Sequence, residues 1–153
     1  MYESCPGASL WTAQAMAYRH KNGVDHNAVA MAVVAQVMVP SEISGIMFTA
    51  NPATGARGEI IINASFGLGE AVVSGQVTPD TYTVDRTTGE ISTDIGAKMQ
   101  RIVSDGEQGV RMEDIEEASR GTSSLSDEQV AELVSRAKEI ESIFETGPQD
   151  IEW

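Results

Sequence analysis

The chain has 153 residues, enough for one domain with a real hydrophobic core and short for two. Its 41% hydrophobic and 22% charged residues fit a globular protein and speak against bulk disorder. The formal net charge is -13, with lysine only at positions 21, 98 and 138, so no clustered basic patch is present for nucleic acid or for a membrane surface.

Cys5 is the only cysteine, which rules out an intramolecular disulfide. Residues 1–7 lack the basic start and apolar run of a signal peptide. No segment approaches the roughly 18 uninterrupted apolar residues of a spanning helix. A cytoplasmic protein is the expectation.

In chain order, Ser9 is a plausible N-cap for a helix carrying Leu10, Trp11, Met16 and Tyr18 and stopping at Gly23. Residues 28–39 form a run of small and β-branched side chains. Val33, Val34, Val37 and Val39, with the stop at Pro40, predict a strand for its second half. Ile46, Met47, Phe48 and Thr49 read as a strand ended by Asn51-Pro52, and Ile60, Ile61 and Ile62 as the next. Gly67-Leu68-Gly69-Glu70 is a loop entering a short helix over Ala71, Val72 and Val73. Residues 81–84 and 90–93 flank a turn and predict a hairpin.

Residues 104–124 are polar and glycine-bearing, and read as an irregular connection. Ser126 and Gln129 then form a capping box. Val130, Leu133, Val134, Ala137, Ile140 and Phe144 follow at helical spacing, up to Gly147-Pro148. Asp150-Ile151-Glu152-Trp153 alternates like a strand. Strands followed by a late helix give an α+β pattern, with a largely antiparallel sheet near Val33, Met47, Ile61 and Tyr82.

Few residues carry chemistry on their own. The Gly67/Gly69 pair lacks the third glycine of a dinucleotide fingerprint, whose place is taken by Val72, and no P-loop triplet occurs. A tight turn of backbone on backbone is the simpler reading. His20 and His26 have no cysteine cluster nearby and read as surface residues. The methionines read as core filler, and Trp11 and Trp153 as at least half-buried packing residues. Asp150 and Glu152 are more informative. Two apart in a strand, they project to one face, where like charges repel unless a cation lies between them. Magnesium takes carboxylate together with phosphate oxygens, although from this short motif alone a solvated acidic strand end is the stronger reading.

Several blocks occur in a fixed order. They are Gln36-Val37-Met38-Val39, Ser44-Gly45-Ile46-Met47-Phe48-Thr49, Asn51-Pro52-Ala53-Thr54-Gly55 and Asn63-Ala64-Ser65-Phe66-Gly67-Leu68-Gly69-Glu70. Val73-Ser74-Gly75, Thr78-Pro79-Asp80 and Pro148-Gln149-Asp150-Ile151-Glu152-Trp153 complete the series. Together they resemble the ATP-binding domain of the phosphoenolpyruvate synthase, pyruvate phosphate dikinase and rifampin phosphotransferase family. The Asn-Pro-x-Thr-Gly block and the Leu10-Trp11-Thr12 start lean toward the last of these.

The resemblance implies the C-terminal part of an ATP-grasp fold, α+β, as a single domain truncated at both ends. It also implies an ATP-dependent phosphotransferase that passes a phosphoryl group to a histidine on another domain, then to pyruvate or an antibiotic hydroxyl. Gln36, Met38 and Val39 would form the adenine hinge, and Glu152, with Asp150 beside it, would hold Mg2+ against the phosphates of ATP. The family's glutamine-x-arginine strand, its basic N-terminal lobe and its phosphohistidine domain are absent from the sequence. The expected partners are therefore ATP, the remaining lobe and that domain, and the segment alone is expected to be inactive. A non-catalytic acidic nucleotide-binding or interaction module is the alternative.

Overall fold

The computed structural model describes residues 6–32, 37–106, 109–144 and 147–153. They fall into two compact units, Met1–Met38 and Val39–Trp153.

The first unit holds a 3-10 turn, Pro6–Trp11, helix α1, Ala13–Lys21, and a second 3-10 turn, His26–Ala28. The helix is capped by Thr12 and not by Ser9: the Thr12 hydroxyl accepts the Ala15 N–H at 3.3 Å. Ser9 instead lies within the preceding 3-10 turn, which displaces the helix start downstream. Met16 and Tyr18 are exposed, and Trp11 is 57% exposed, against expectation. The organiser of this unit is Arg19, which is buried. It donates to His26 Nδ1 at 3.0 Å and to the Leu10 carbonyl, and lies 5.7 Å from the Trp11 ring centroid. His20 is exposed, whereas His26 is half-buried through this bond.

The strand expected at the end of residues 28–39 does not form where the chain is described; Val33, Val34 and Gln36 lie outside the described residues. Val37, Met38 and Val39 are exposed and have no regular structure. Within the second unit the Ser41 N–H bonds back to the Val39 carbonyl at 2.9 Å, a tight turn around Pro40. β-Branched density signals fitness for a pleated, half-buried surface. It needs a neighbouring strand to become one.

The second unit is built on strands β1 (Ile43–Phe48), β2 (Glu59–Phe66), β3 (Asp80–Asp85), β4 (Ile91–Asp94) and β7 (Asp150–Glu152). They form one antiparallel sheet in the order β4-β3-β2-β1-β7. The fold is α+β, as expected, with Met47, Ile61 and Tyr82 on three of its strands. Strand period sends Met47, Ile60, Ile62, Ala64, Tyr82 and Val84 to one face. Helix α4, Asp127–Phe144, covers that face with Val130, Val134 and Ala137, and Leu133 packs at its margin. Full burial of a valine side chain such as Val130 contributes about 1.5–3 kcal/mol. The capping box is present in both directions: Ser126 N–H to Gln129 Oε1 at 2.9 Å and Gln129 N–H to Ser126 Oγ at 3.3 Å. Phe144 and Ile143 at the far end are exposed. Among the described residues Met47 is the methionine in the core, and Met16, Met31, Met38, Met99 and Met112 are exposed.

The stretch 104–124, read as irregular, holds β6 (Val110–Asp114), which closes a hairpin with β5 (Gln100–Ser104) just before it, and a helical turn, α3 (Glu117–Arg120). The hairpin strands pair along an antiparallel ladder, with Ile102 opposite Met112, and Arg101 on β5 bonds Glu113 on β6 at 2.6 Å. Arg111 pairs with Glu113 on its own strand at 3.0 Å and with Asp105 in the turn at 3.4 Å. Apolar alternation is weak, so the sequence carries little strand signal. Ile102 anchors the hairpin in a small second core with Leu68 and Ala71. There the Leu68 N–H bonds to the Ile102 carbonyl at 2.8 Å. Gly67 has φ +86°, and a Cβ on it would lie 2.3 Å from that carbonyl oxygen. The glycine pair is thus a backbone-on-backbone turn, and helix α2, Glu70–Val73, follows it.

One buried ion pair ties these layers together. Asp80 and Lys98 have fully buried side chains and bond to each other. Asp80 also accepts the Gly96 N–H at 2.9 Å, and the Ser124 N–H and hydroxyl both at 2.7 Å. The Lys98 ammonium lies 5.8 Å from the Phe66 ring centroid. β3, the segment after β4 and the entry to α4 therefore meet on one carboxylate.

Candidate functional site

β7 is an edge strand, held in register on β1 with Phe48 opposite Asp150, Met47 opposite Ile151 and Ile46 opposite Glu152. Ile151 and Trp153 pack into the main core, so Asp150 and Glu152 project to the other face, and both are exposed. The expectation that the two carboxylates share a face therefore agrees with the strand as it lies.

Register extends this face into rows. One runs Glu152, Ile46, Asn63, Thr81, Asp94; the next runs Asp150, Phe48, Ile61, Thr83, Ser92. Beside the carboxylates lies an apolar floor of half-buried Ile46 and Phe48 and buried Ile61. Beyond it is a polar strip in which the Thr81 hydroxyl donates to the Asn63 side-chain Oδ1 at 2.9 Å. The Ser44 end of the face is closed by the glycine turn, since Ser44 Oγ donates to the Gly67 carbonyl at 2.6 Å. The remainder is a shallow surface, apolar in the middle and anionic at the β7 edge.

Among the described residues neither Asp150 nor Glu152 makes an ion pair, although other acidic residues of the unit do. No group of three or more His, Cys, Asp and Glu converges among the described residues. A divalent ion here would thus have two protein carboxylates on one face and would draw its other oxygens from a ligand and water. That donor set fits magnesium, which keeps waters and phosphate oxygens around one or two carboxylates.

The structure holds β7 firmly at both ends. Behind it, Gly45 and Trp153 exchange backbone bonds of 3.0 and 3.1 Å. A Cβ on Gly45 would lie 2.1 Å from the Asn63 carbonyl oxygen and 2.8 Å from the Trp153 ring. Gly45→Ala is expected to destabilise the unit by about 1–3 kcal/mol through overpacking, and to loosen the β7 edge. Hydrogen exchange of the Trp153 amide should report it, and unchanged protection would contradict the contact.

In front of β7, Thr49 is fully buried. Its N–H donates to the Gln149 carbonyl at 3.0 Å and its hydroxyl accepts the Gln149 N–H at 2.7 Å. That hydroxyl also donates to Glu141 Oε1 at 3.4 Å, while Arg86 donates to the Thr49 carbonyl at 3.0 Å. Arg86 and Glu141 form an ion pair. The hydrogen bond from Arg86 chiefly holds the Glu141 carboxyl below its usual range. Sequence reasoning missed Thr49, Arg86 and Glu141 in this role, because they lie up to 100 residues from Gln149 along the chain.

Of the other expected site residues, Met38 closes the first unit and Val39 opens the second, both exposed, and Gln36 is outside the described residues. Among the described residues no helix is long and apolar enough to cross a membrane.

Comparison with known proteins gives the chain its family. A probable phosphoenolpyruvate synthase of Pyrococcus horikoshii is 46% identical over 153 residues, covering 95% of this chain and 18% of the relative. The phosphoenolpyruvate synthase of Pyrococcus furiosus is 47% identical, covering 95% and 19%. A rifampicin phosphotransferase of a Streptomyces species is 46% identical over 147 residues, covering 95% and 17%. The chain thus spans about a fifth of the length of these curated relatives. Their near-equal identities do not favour one kind of relative over the other. The family profile described as pyruvate phosphate dikinase, AMP/ATP-binding domain, matches residues 3–153, and the chain belongs to that family.

Proposed function

We propose that the chain is the ATP-binding part of a dikinase-type phosphotransferase, both units belonging to one ATP-grasp domain completed by sequence outside it. The observation that carries this reading is the pair Asp150 and Glu152, exposed on one face of β7 without a cation partner among the described residues, beside the apolar floor of Ile46 and Phe48. A magnesium ion bound there supplies charge neutralisation for the phosphates of ATP.

The chain's own residues divide the remaining work. Glu152 and Asp150 orient the metal from the edge strand, and the backbone around Gln36, Met38 and Val39 reads the adenine edge. None of them is the phosphoryl acceptor. That role falls to a histidine on a separate domain, which hands the group to pyruvate or to an antibiotic hydroxyl. Phosphoryl transfer rests on positioning and charge neutralisation. The cations that grip the phosphates come from the other lobe.

The test is calorimetric titration of the isolated chain with ATP, with and without Mg2+. Saturable, Mg2+-dependent binding weaker than about 100 µM is expected, without hydrolysis. Absence of binding at millimolar ATP would remove the nucleotide reading. Submicromolar binding would overturn the view that the cationic half of the site lies elsewhere.

A further inference from the structure

β7 carries both carboxylates and pairs with β1 through Asp150, Ile151 and Glu152. The residue before Asp150 is gripped in turn from the end of β1. At the N-terminal flank Thr49 uses its N–H and hydroxyl on Gln149, the residue that precedes Asp150, at 3.0 and 2.7 Å. The hydroxyl's own proton goes to Glu141 on α4, and the Thr49 carbonyl is held by Arg86 from the turn after β3. Arg86 and Glu141 neutralise each other. The network thus joins β1, α4 and the β3–β4 turn at one point without adding net charge beside the carboxylates.

We propose that Thr49, braced by the Arg86–Glu141 pair, is a positioning residue that sets Asp150 and Glu152 for the divalent ion. This rests on the reading of those carboxylates given above. Thr49 touches neither metal nor nucleotide. It acts by anchoring Gln149, and through the chain the first of the two carboxylates. Partners that orient metal ligands in this way typically change metal affinity by about ten- to a hundredfold.

The experiment measures Mn2+ binding by electron paramagnetic resonance, in the full-length enzyme with a non-hydrolysable ATP analogue. Thr49→Val removes the hydroxyl at nearly constant volume and should weaken Mn2+ binding about tenfold, whereas Thr49→Ser should leave it near wild type. Arg86→Gln, at a half-buried site, should weaken it in the same direction and serves if Thr49→Val does not fold. Loss of thermal stability in Thr49→Val or Arg86→Gln with unchanged Mn2+ affinity would overturn the proposal and leave Thr49 a purely structural residue. Glu152→Gln separates the two claims. If it weakens Mn2+ binding while Thr49→Val and Arg86→Gln do not, positioning fails alone. If it has no effect either, the proposal falls together with the metal reading beneath it.

Discussion

Asp80→Asn is expected to lower stability at pH 7 by about 3–5 kcal/mol, the usual cost of removing one member of a buried ion pair. The substitution keeps shape but leaves the Lys98 ammonium fully buried without its counter-charge. It also weakens the bonds by which the Ser124 N–H and hydroxyl and the Gly96 N–H hold the entry to α4 and the chain after β4. Burial alone would raise the Asp80 pKa, but Lys98, the Ser124 hydroxyl and the N–H groups of Ser124 and Gly96 outweigh it and hold the carboxyl below its usual range. A depressed carboxylate stabilises the folded state above its unfolded pKa, and that contribution is lost as pH falls through the folded value. The gap between wild type and Asp80→Asn should therefore be full at pH 7 and narrow as pH drops below about 4. The double variant Asp80→Asn with Lys98→Met removes both charges and should recover part of the loss. Urea denaturation at pH 7 and pH 3 measures all of this. A gap at pH 7 below about 1 kcal/mol, the scale of an exposed pair, would contradict the buried-pair account.

What the sequence made legible follows from which interactions are local. The Ser126–Gln129 capping box and the Val130, Leu133, Ala137 stripe are written within one helix, and the structure has both. The alternation of β7 put Asp150 and Glu152 on one face, which needs only the strand period. Most misreadings concern partners outside the segment itself; the helix start at Thr12 in place of Ser9 is a local one. Val37 and Val39 have strand composition but no neighbouring strand where they are described. β5 and β6 lack apolar alternation, and their pairing rests on a backbone ladder with Arg101 bonded to Glu113 across it. Thr78-Pro79-Asp80 was visible only as part of a resemblance. Its physical task, to gather Lys98, Gly96 and Ser124 around one carboxylate, required coordinates. The same holds for Thr49, whose role depends on Arg86, Glu141 and Gln149 meeting in space.

The second large effect is expected at Glu152. Glu152→Gln removes a negative charge and a hard oxygen donor while keeping the volume of an exposed side chain. Packing should barely register it, because Ile151 and Trp153, not Glu152, enter the core. If Glu152 organises magnesium against the phosphates of ATP, its loss weakens an interaction on which phosphoryl transfer depends, and the rate should fall by about a hundredfold or more, on the order of 3 kcal/mol. If it is only a solvated strand end, both rate and stability should stay near wild type. The direct measurement is ATP-dependent phosphorylation of the histidine in the full-length enzyme, wild type against Glu152→Gln, with thermal unfolding in parallel. A hundredfold slower phosphorylation at unchanged thermal stability is the predicted result, and a near-normal rate would contradict the assignment of Glu152 as a metal ligand.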